Sequence, residues 1–482
     1  MPDVHMRPRD VLAVSVAARS KSLSAPPFLV SAVMDALFAS RYSSMTSVVP
    51  GEADAYCADM ARQRDSTILT SDSDLVVHDL GPRSKVILFR DWELVHLASS
   101  GKCLKAVVYH PKGIADRLGL PNLVKAAYFM DQDYHRTFAE AVRLAKSQHP
   151  TNPEYLAFVD TYGALTVYSP FSGLSRQDAS QPISSILSRL DPRVSEVVHQ
   201  LRVSPQQSVQ TGARHSISVY LPFMIDDPTK TSSWRAGELI RQIGYSALHQ
   251  VDSAISDVNE FERKGTRIAF TVLPILDEDR LLIAVETLSR RLQGTAQTPL
   301  SPAAALRLLA ADCVYEWCRD NGKPLPSREE MAALVLNPRE APLTWSSVHA
   351  SAQMQSIIYS LRMTRQLLQV VGALQPAHNT SDHIAEHLHL LLMSLKTMPD
   401  IAEALEGRAD ADMSDESRTL VMQSLARFRG AGSEETADGP AARKKRKKKK
   451  SAAAVAAAKA TADTSRMGSH WGNGNVYAAL DG

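Results

Sequence analysis

Two acidic pairs are the residues of this chain whose types and spacing could support catalysis. Glu52 and Asp54 follow a short apolar run and open a helical stretch, and Asp72 and Asp74 follow a second apolar run. The order of strand, acidic helix start, strand and acidic strand end predicts an α/β unit. Its four carboxylates would then lie at the carboxyl edge of a parallel sheet, where ligands bind in such folds. Carboxylates gathered without basic partners repel one another unless a cation lies between them, and oxygen ligands suit Mg²⁺ or Mn²⁺.

The segments around both pairs, Val48–Ala58 and Leu69–Leu75, resemble the internal region of the XPG and flap-endonuclease family. These proteins are structure-specific 5′ nucleases with a PIN-like fold. The resemblance implies that the acidic residues hold two Mg²⁺ or Mn²⁺ ions, which activate a water and stabilise the leaving oxygen of a phosphodiester. A weaker likeness over Phe129–Tyr134 implies that Asp133 is the last acidic ligand. The implied catalytic residues are Glu52, Asp54, Asp72 and Asp74, and the implied metal ligands are the same four with Asp133.

Two departures from the family pattern leave two functions open. Family members begin with a strand that ends in a metal-binding Asp, and the segment Asp10–Val16 lacks that Asp. Their Gly-rich hairpin, which holds the duplex backbone, is replaced here by a glycine-free stretch after Asp133. One hypothesis is a metal-dependent nuclease acting on DNA or RNA, with a metal site that lacks the N-terminal segment. The other is a non-catalytic PIN-like scaffold or adaptor in nuclear RNA or chromatin regulation, which binds protein partners through its helical domain.

Alternating patterns and helical apolar stripes predict an α/β fold followed by an all-α domain. We expect a PIN-like parallel α/β sheet, N-terminally abbreviated, then a large helical domain and a disordered basic tail. The predicted boundaries are 1–110 for the PIN-like region, 111–150 for a helical extension, 151–427 for the mainly helical domain and 428–482 for the tail. Within the helical domain, we predict helices from about residue 233 and over 279–293, 302–320, 328–336, 346–373 and 381–406.

The pattern Leu221-Pro222-Phe223, Asp226-Asp227-Pro228, Ser233-Trp234 and Tyr245-Ser246 resembles the asteroid-type branch of the XPG-like superfamily. In that branch a PIN-like half is followed by a large helical domain. The resemblance implies a protein that acts as an adaptor or as a nuclease.

The net charge of +2 hides an uneven distribution, because eight consecutive basic residues lie near the C-terminus. Without them the chain carries a net negative charge, unlike proteins that grip duplexes through many Lys and Arg contacts to phosphate. A basic run this dense in a low-complexity segment favours nuclear import. The predicted nuclear-targeting residues are Arg443, Lys444, Lys445, Arg446, Lys447, Lys448, Lys449 and Lys450.

The four cysteines show neither a disulfide framework nor the spacing of a zinc site, which is typical of a protein from a reducing compartment. No apolar run approaches the length of a transmembrane helix, so we predict no membrane partner.

Overall fold

The computed structural model describes residues 27–49, 53–97, 101–133, 135–163, 183–202, 214–265, 267–374, 382–406 and 414–427. Glu52, the segment Asp10–Val16 and the basic run of the C-terminal tail lie outside these residues. The first part of the chain contains α1 (Leu29–Ala39), α2 (Ala53–Arg64), β1 (Thr67–Thr70), β2 (Lys85–Leu88), β3 (Trp92–Leu97), β4 (Gly101–Ala106), α3 (Pro111–Leu118), α4 (Val124–Asp131), α5 (Phe138–Ser147) and α6 (Pro153–Tyr162).

Strand β1 runs parallel to β2, from Thr67 beside Lys85 to Thr70 beside Leu88. The apolar run before Glu52, which the sequence predicts as a strand, forms no strand over residues 45–49. Helix α2 lies on this pair through the buried alanines Ala58 and Ala61, whose small side chains allow a close approach. The loop after β1 is held against α2, because the Arg62 guanidinium donates two hydrogen bonds, at 3.0 and 2.8 Å, to the Asp79 carbonyl. Strands β3 and β4 form a separate antiparallel hairpin.

Helices α3 to α6 pack around a second small core. It is centred on Tyr128, whose ring lies 4.9 Å from that of Tyr155 and 5.6 Å from that of Phe158. Helix α5 begins with a capping box, in which the Thr137 and Glu140 side chains each accept from the other's backbone N–H. Val76, in the loop after β1, packs against this core and against the core beneath the β1–β2 pair. The helices are thereby fixed relative to the carboxyl end of β1.

The rest of the chain is mainly helical and also contains a three-stranded sheet. Its strands lie in the order β5-β6-β7, with β5 parallel to β6 and β6 antiparallel to β7. The elements are α7 (Ile183–Leu187), α8 (Pro192–His199), β5 (His215–Tyr220), α9 (Glu238–Leu248), β6 (Ile255–Lys264), β7 (Arg267–Pro274), α10 (Glu278–Ala296), α11 (Pro302–Asp320), α12 (Arg328–Leu336), α13 (Trp345–Leu374), α14 (Asp382–Leu395), α15 (Ile401–Glu406) and α16 (Asp415–Ala426).

The predicted fold class is confirmed: a mixed α/β region precedes a large helical part. Two of the predicted helices, 302–320 and 328–336, have the observed bounds, and the others agree to within a few residues apart from the break between α14 and α15. The β5–β7 sheet was not predicted.

Helix α1 lies in the span predicted as PIN-like, but its contacts run to the helical part. Phe28, just before it, stacks on Tyr359 of α13 with 4.6 Å between ring centroids. The Asp35 carboxylate accepts two hydrogen bonds from the Arg362 guanidinium, at 2.7 and 2.8 Å. The first described helix is therefore packed on the helical part.

A buried ion pair joins the three-stranded sheet to the helices. The Arg241 guanidinium of α9 donates to both Glu260 carboxylate oxygens, at 2.5 and 2.6 Å, and neither side chain is accessible to solvent. Glu260 also accepts from the Tyr245 hydroxyl at 2.8 Å, and Arg241 donates to the Ser360 hydroxyl of α13 at 2.8 Å. This bonding compensates for the desolvation of both charges.

All four cysteines fall within the described residues and are free thiols. None of the described helices is long and apolar enough to cross a membrane.

Candidate metal centre

Asp72 and Asp74 are fixed by backbone hydrogen bonds directly after β1. The Asp72 N–H donates to the Thr70 hydroxyl at 3.0 Å, and the Asp74 N–H donates to the Asp72 carboxylate at 2.9 Å. Asp74 then opens a short 3-10 turn, and the buried Leu75 anchors that turn in the core. The chain therefore holds two half-buried carboxylates at the carboxyl end of a parallel strand, as the sequence predicted.

Asp54 lies in the first turn of α2, which ends just before β1 begins. The helix has 12 residues and spans about 18 Å, whereas the four residues of β1 span about 13 Å. Because α2 runs back along the strand, its first turn lies towards the edge at which β1 ends. The role of Asp54 as a ligand remains a prediction, and the position of Glu52 is outside the described residues.

Two residues absent from the predicted site act directly on Asp74. The Tyr162 hydroxyl, at the end of α6, donates to the Asp74 carboxylate at 3.1 Å. Burial raises the pKa of Asp74 above its ordinary value, the charges of Asp72 and Asp131 raise it further, and the Tyr162 hydrogen bond partly offsets the rise. Burial and the Asp74 charge in turn raise the pKa of Tyr162, so its hydroxyl keeps its proton and acts as a donor.

Asp133, predicted as the last ligand, has local partners. Its side chain is exposed, and its carboxylate accepts from the His135 N–H at 3.1 Å and lies 3.7 Å from the Arg136 guanidinium. Asp131, two residues earlier, is instead one of the charges that act on Asp74 and Tyr162. Because Asp131 and Asp133 are both acidic, the sequence of this segment could have suggested Asp131 as a candidate. Tyr162 lies 88 residues from Asp74 in the chain, and no sequence pattern indicated that it contacts Asp74.

The donor set fits a divalent cation held in part by its substrate. Among the described residues, no three His, Cys, Asp or Glu side chains converge closely enough to form a metal cage. Mg²⁺, however, is usually held by one or two carboxylates together with waters and substrate phosphates. Asp72 and Asp74 supply two such carboxylates. After burial, which has the largest effect, the charges of Asp72 and Asp131 raise the pKa of Asp74, and a cation would offset this repulsion.

A Tyr162→Phe substitution should move the acid limb of Mn²⁺ binding to higher pH. The phenol hydrogen bond favours the ionised Asp74, so its loss should raise the pKa of that carboxyl further. Metal binding needs the ionised form and is lost as the pH falls through this pKa. Calorimetric Mn²⁺ titrations at a series of acidic pH values would measure the shift. Tyr155→Phe, in the same helix, is the matched control, and an acid limb that is identical in all three proteins would contradict the role of Tyr162.

A family model described as "XPG domain containing" matches residues 25–275, which is more than half of the chain. The matched span includes both acidic pairs, Asp131, Tyr162 and the three-stranded sheet. Comparison with curated proteins and with solved structures finds no match.

Proposed function

Because the chain belongs to the family of XPG-domain-containing proteins, we propose that it hydrolyses phosphodiester bonds of nucleic acid with the help of Mg²⁺ or Mn²⁺. One observation carries the proposal. Asp72 and Asp74 are held by backbone hydrogen bonds at the carboxyl end of β1, and the Tyr162 hydroxyl orients Asp74. This edge of a parallel sheet is where α/β folds bind their ligands.

Each residue has a definite part in the proposed reaction. A divalent ion bound at this edge would supply an activated water and offset the charge of the phosphodiester. Asp72 and Asp74 would hold it, with Glu52, Asp54 and Asp133 as the further ligands that the family resemblance implies. Tyr162 retains its proton and fixes the orientation of the Asp74 carboxylate. Burial, followed by the nearby Arg62 guanidinium, lowers the pKa of His78, so this ring is neutral near physiological pH.

Calorimetric titration of the full chain with Mn²⁺ tests the metal site. We expect micromolar binding that is lost in the Asp72→Asn/Asp74→Asn variant, because asparagine preserves side-chain size and removes both charges. Asp79→Asn, in the same loop, is the matched control and should bind as the unsubstituted chain does. If the unsubstituted chain shows no Mn²⁺ binding with and without oligonucleotide, the hydrolytic function is wrong.

One observation favours a second candidate function, a non-catalytic PIN-like scaffold of the asteroid type. Asp133 is paired with Arg136 at the position where the family carries a metal ligand. Such a scaffold would use the helical part to bind protein partners in nuclear RNA or chromatin regulation. The basic run 443–450 supports nuclear localisation under either function. Replacing its lysines and arginines by glutamine in a fluorescent fusion should abolish nuclear accumulation.

A further inference from the structure

An arginine follows β2 at the same edge of the sheet as the acidic pair. Strands β1 and β2 are parallel and end together, with Thr70 beside Leu88. Asp72 comes two residues after Thr70, and Arg90 comes two residues after Leu88. Because the carboxyl ends of parallel strands share one edge, the turn that carries Arg90 leaves the sheet next to the turn that carries Asp72. A cationic side chain therefore accompanies the carboxylates of the candidate metal centre.

Asp91 and Tyr109 anchor the Arg90 side chain on one side. Residues Phe89–Asp91 form a 3-10 turn directly after β2. The Tyr109 hydroxyl donates to one Asp91 carboxylate oxygen at 2.8 Å, and the other oxygen lies 3.9 Å from Arg90 Nε. The hydrogen bond to Asp91 raises the pKa of Tyr109, so the hydroxyl keeps its proton and holds the carboxylate in place. The guanidinium is thus approached by Asp91 through Nε.

The two terminal amino groups of Arg90 are available to an anion. The side chain is 54% exposed, and among the described residues it forms an ion pair with Asp91 alone and no hydrogen bond. It forms no ion pair with Asp72 or Asp74, so these carboxylates keep their oxygens for a cation. A guanidinium presents its N–H groups as a planar fork that matches two oxygens of a phosphate.

We propose that Arg90 binds a phosphate of the nucleic acid that neighbours the phosphate at the metal centre. The proposal rests on the proposed function and names its substrate class, a polynucleotide strand rather than an isolated phosphodiester. A strand repeats its phosphates at regular intervals. One phosphate at Asp72 and Asp74 therefore brings another past the adjacent turn, where the long Arg90 side chain meets it.

The position of Arg90 favours a phosphate over the carboxylates of an acidic peptide. An acidic peptide would bring further carboxylates to an edge that already carries Asp72 and Asp74. A phosphodiester is the group that a divalent ion at this edge would bind, so Arg90 and the metal centre act on one continuous ligand.

Fluorescence anisotropy with a labelled oligothymidylate of about 12 nucleotides tests the proposal on the full chain. Every protein compared carries Asp72→Asn/Asp74→Asn and has glutamine in place of the basic residues 443–450, so metal binding, cleavage and the basic run do not contribute. Arg90→Gln should weaken binding roughly tenfold, the scale of a hydrogen-bonded charge. It should also flatten the dependence of log affinity on log salt by about 0.7, the value for one phosphate contact to a single strand.

Arg83→Gln is the matched control. Arg83 precedes β2 and lies at the opposite edge of the sheet, and like Arg90 it is exposed and pairs with an aspartate, Asp65. This variant should bind as its parent does. Arg90→Lys keeps the charge without the fork, so it should retain the salt dependence and lose part of the affinity. Thermal melting checks that each variant is folded.

Equal affinity of the Arg90→Gln and Arg83→Gln variants would overturn the proposal, as would the absence of oligonucleotide binding. Tighter binding of a glutamate peptide of the same length would also overturn it, by identifying an acidic peptide as the ligand. The hydrolytic function fails separately, in the Mn²⁺ titration of the chain that retains Asp72 and Asp74. Either proposal can therefore fail without the other.

Discussion

An Asp74→Asn variant should cleave single-stranded or flapped oligonucleotides roughly a thousandfold more slowly than the unsubstituted chain in Mn²⁺, a loss of about 4 kcal/mol of transition-state stabilisation. Asp74 combines the features that such an effect requires. It lies at the carboxyl end of β1, its backbone is fixed by Asp72, and its carboxylate is oriented by Tyr162. Asparagine retains the shape and the hydrogen bond from Tyr162 while removing the charge. Gel-resolved cleavage under single-turnover conditions measures the rate.

The same assay on Asp131→Asn and Asp133→Asn distinguishes the two acids of one segment. The Asp131 charge raises the pKa of Asp74, so its loss should lower that pKa and move the acid limb of Mn²⁺-dependent cleavage to lower pH. Asp133 is exposed and paired with Arg136, and in the observed arrangement its replacement should change the rate less than twofold. If Asp133 is the last metal ligand, as the family resemblance implies, its replacement will instead cost as much as that of Asp74. Cleavage that persists in Asp74→Asn would contradict the assignment of the site.

The positions of Asp72 and Asp74, directly after β1, could be predicted from the sequence because they follow from local rules. An apolar run followed by Asp-x-Asp specifies a strand and the side chains at its end, and the helices of the second half follow from periodic apolar residues. The predicted bounds 302–320 agree with those of α11 because helix capping is also local. The Ser301 side chain accepts from the Ala304 N–H, and Pro302 occupies the first position of the helix.

The remainder could not be predicted because it depends on contacts between distant residues. Tyr162 reaches Asp74 where the two small cores meet at Val76, and no local pattern encodes that packing. Strand β6 carries the charged residues Glu260 and Glu262 on its inner face, where an apolar alternation is expected. The burial of these charges depends on cationic partners from another element, such as Arg241 for Glu260. The strand therefore lacks the alternation of apolar and polar residues by which a strand is predicted from sequence.

Arg241→Met should be the most destabilising single substitution, at about 3–5 kcal/mol, because it leaves the Glu260 carboxylate buried without its cation. Chemical denaturation followed by tryptophan fluorescence measures the loss, since the Arg241 guanidinium donates to the Trp234 carbonyl and Trp234 therefore reports this part of the core. The double variant Arg241→Met/Glu260→Leu should regain much of the stability, because a buried ion pair replaced by apolar side chains is often neutral. Lys105→Met, which breaks the exposed pair with Glu93, is the control and should have little effect. A single variant as stable as this control would show that the pair does not hold the sheet.

The ion pair also bears on the outer face of the sheet. Glu260 faces inward to Arg241, so its neighbour Phe261 must face outward, and a slip of one residue would exchange them. The ion pair therefore fixes the register that places Phe261 between Tyr220 and Phe270.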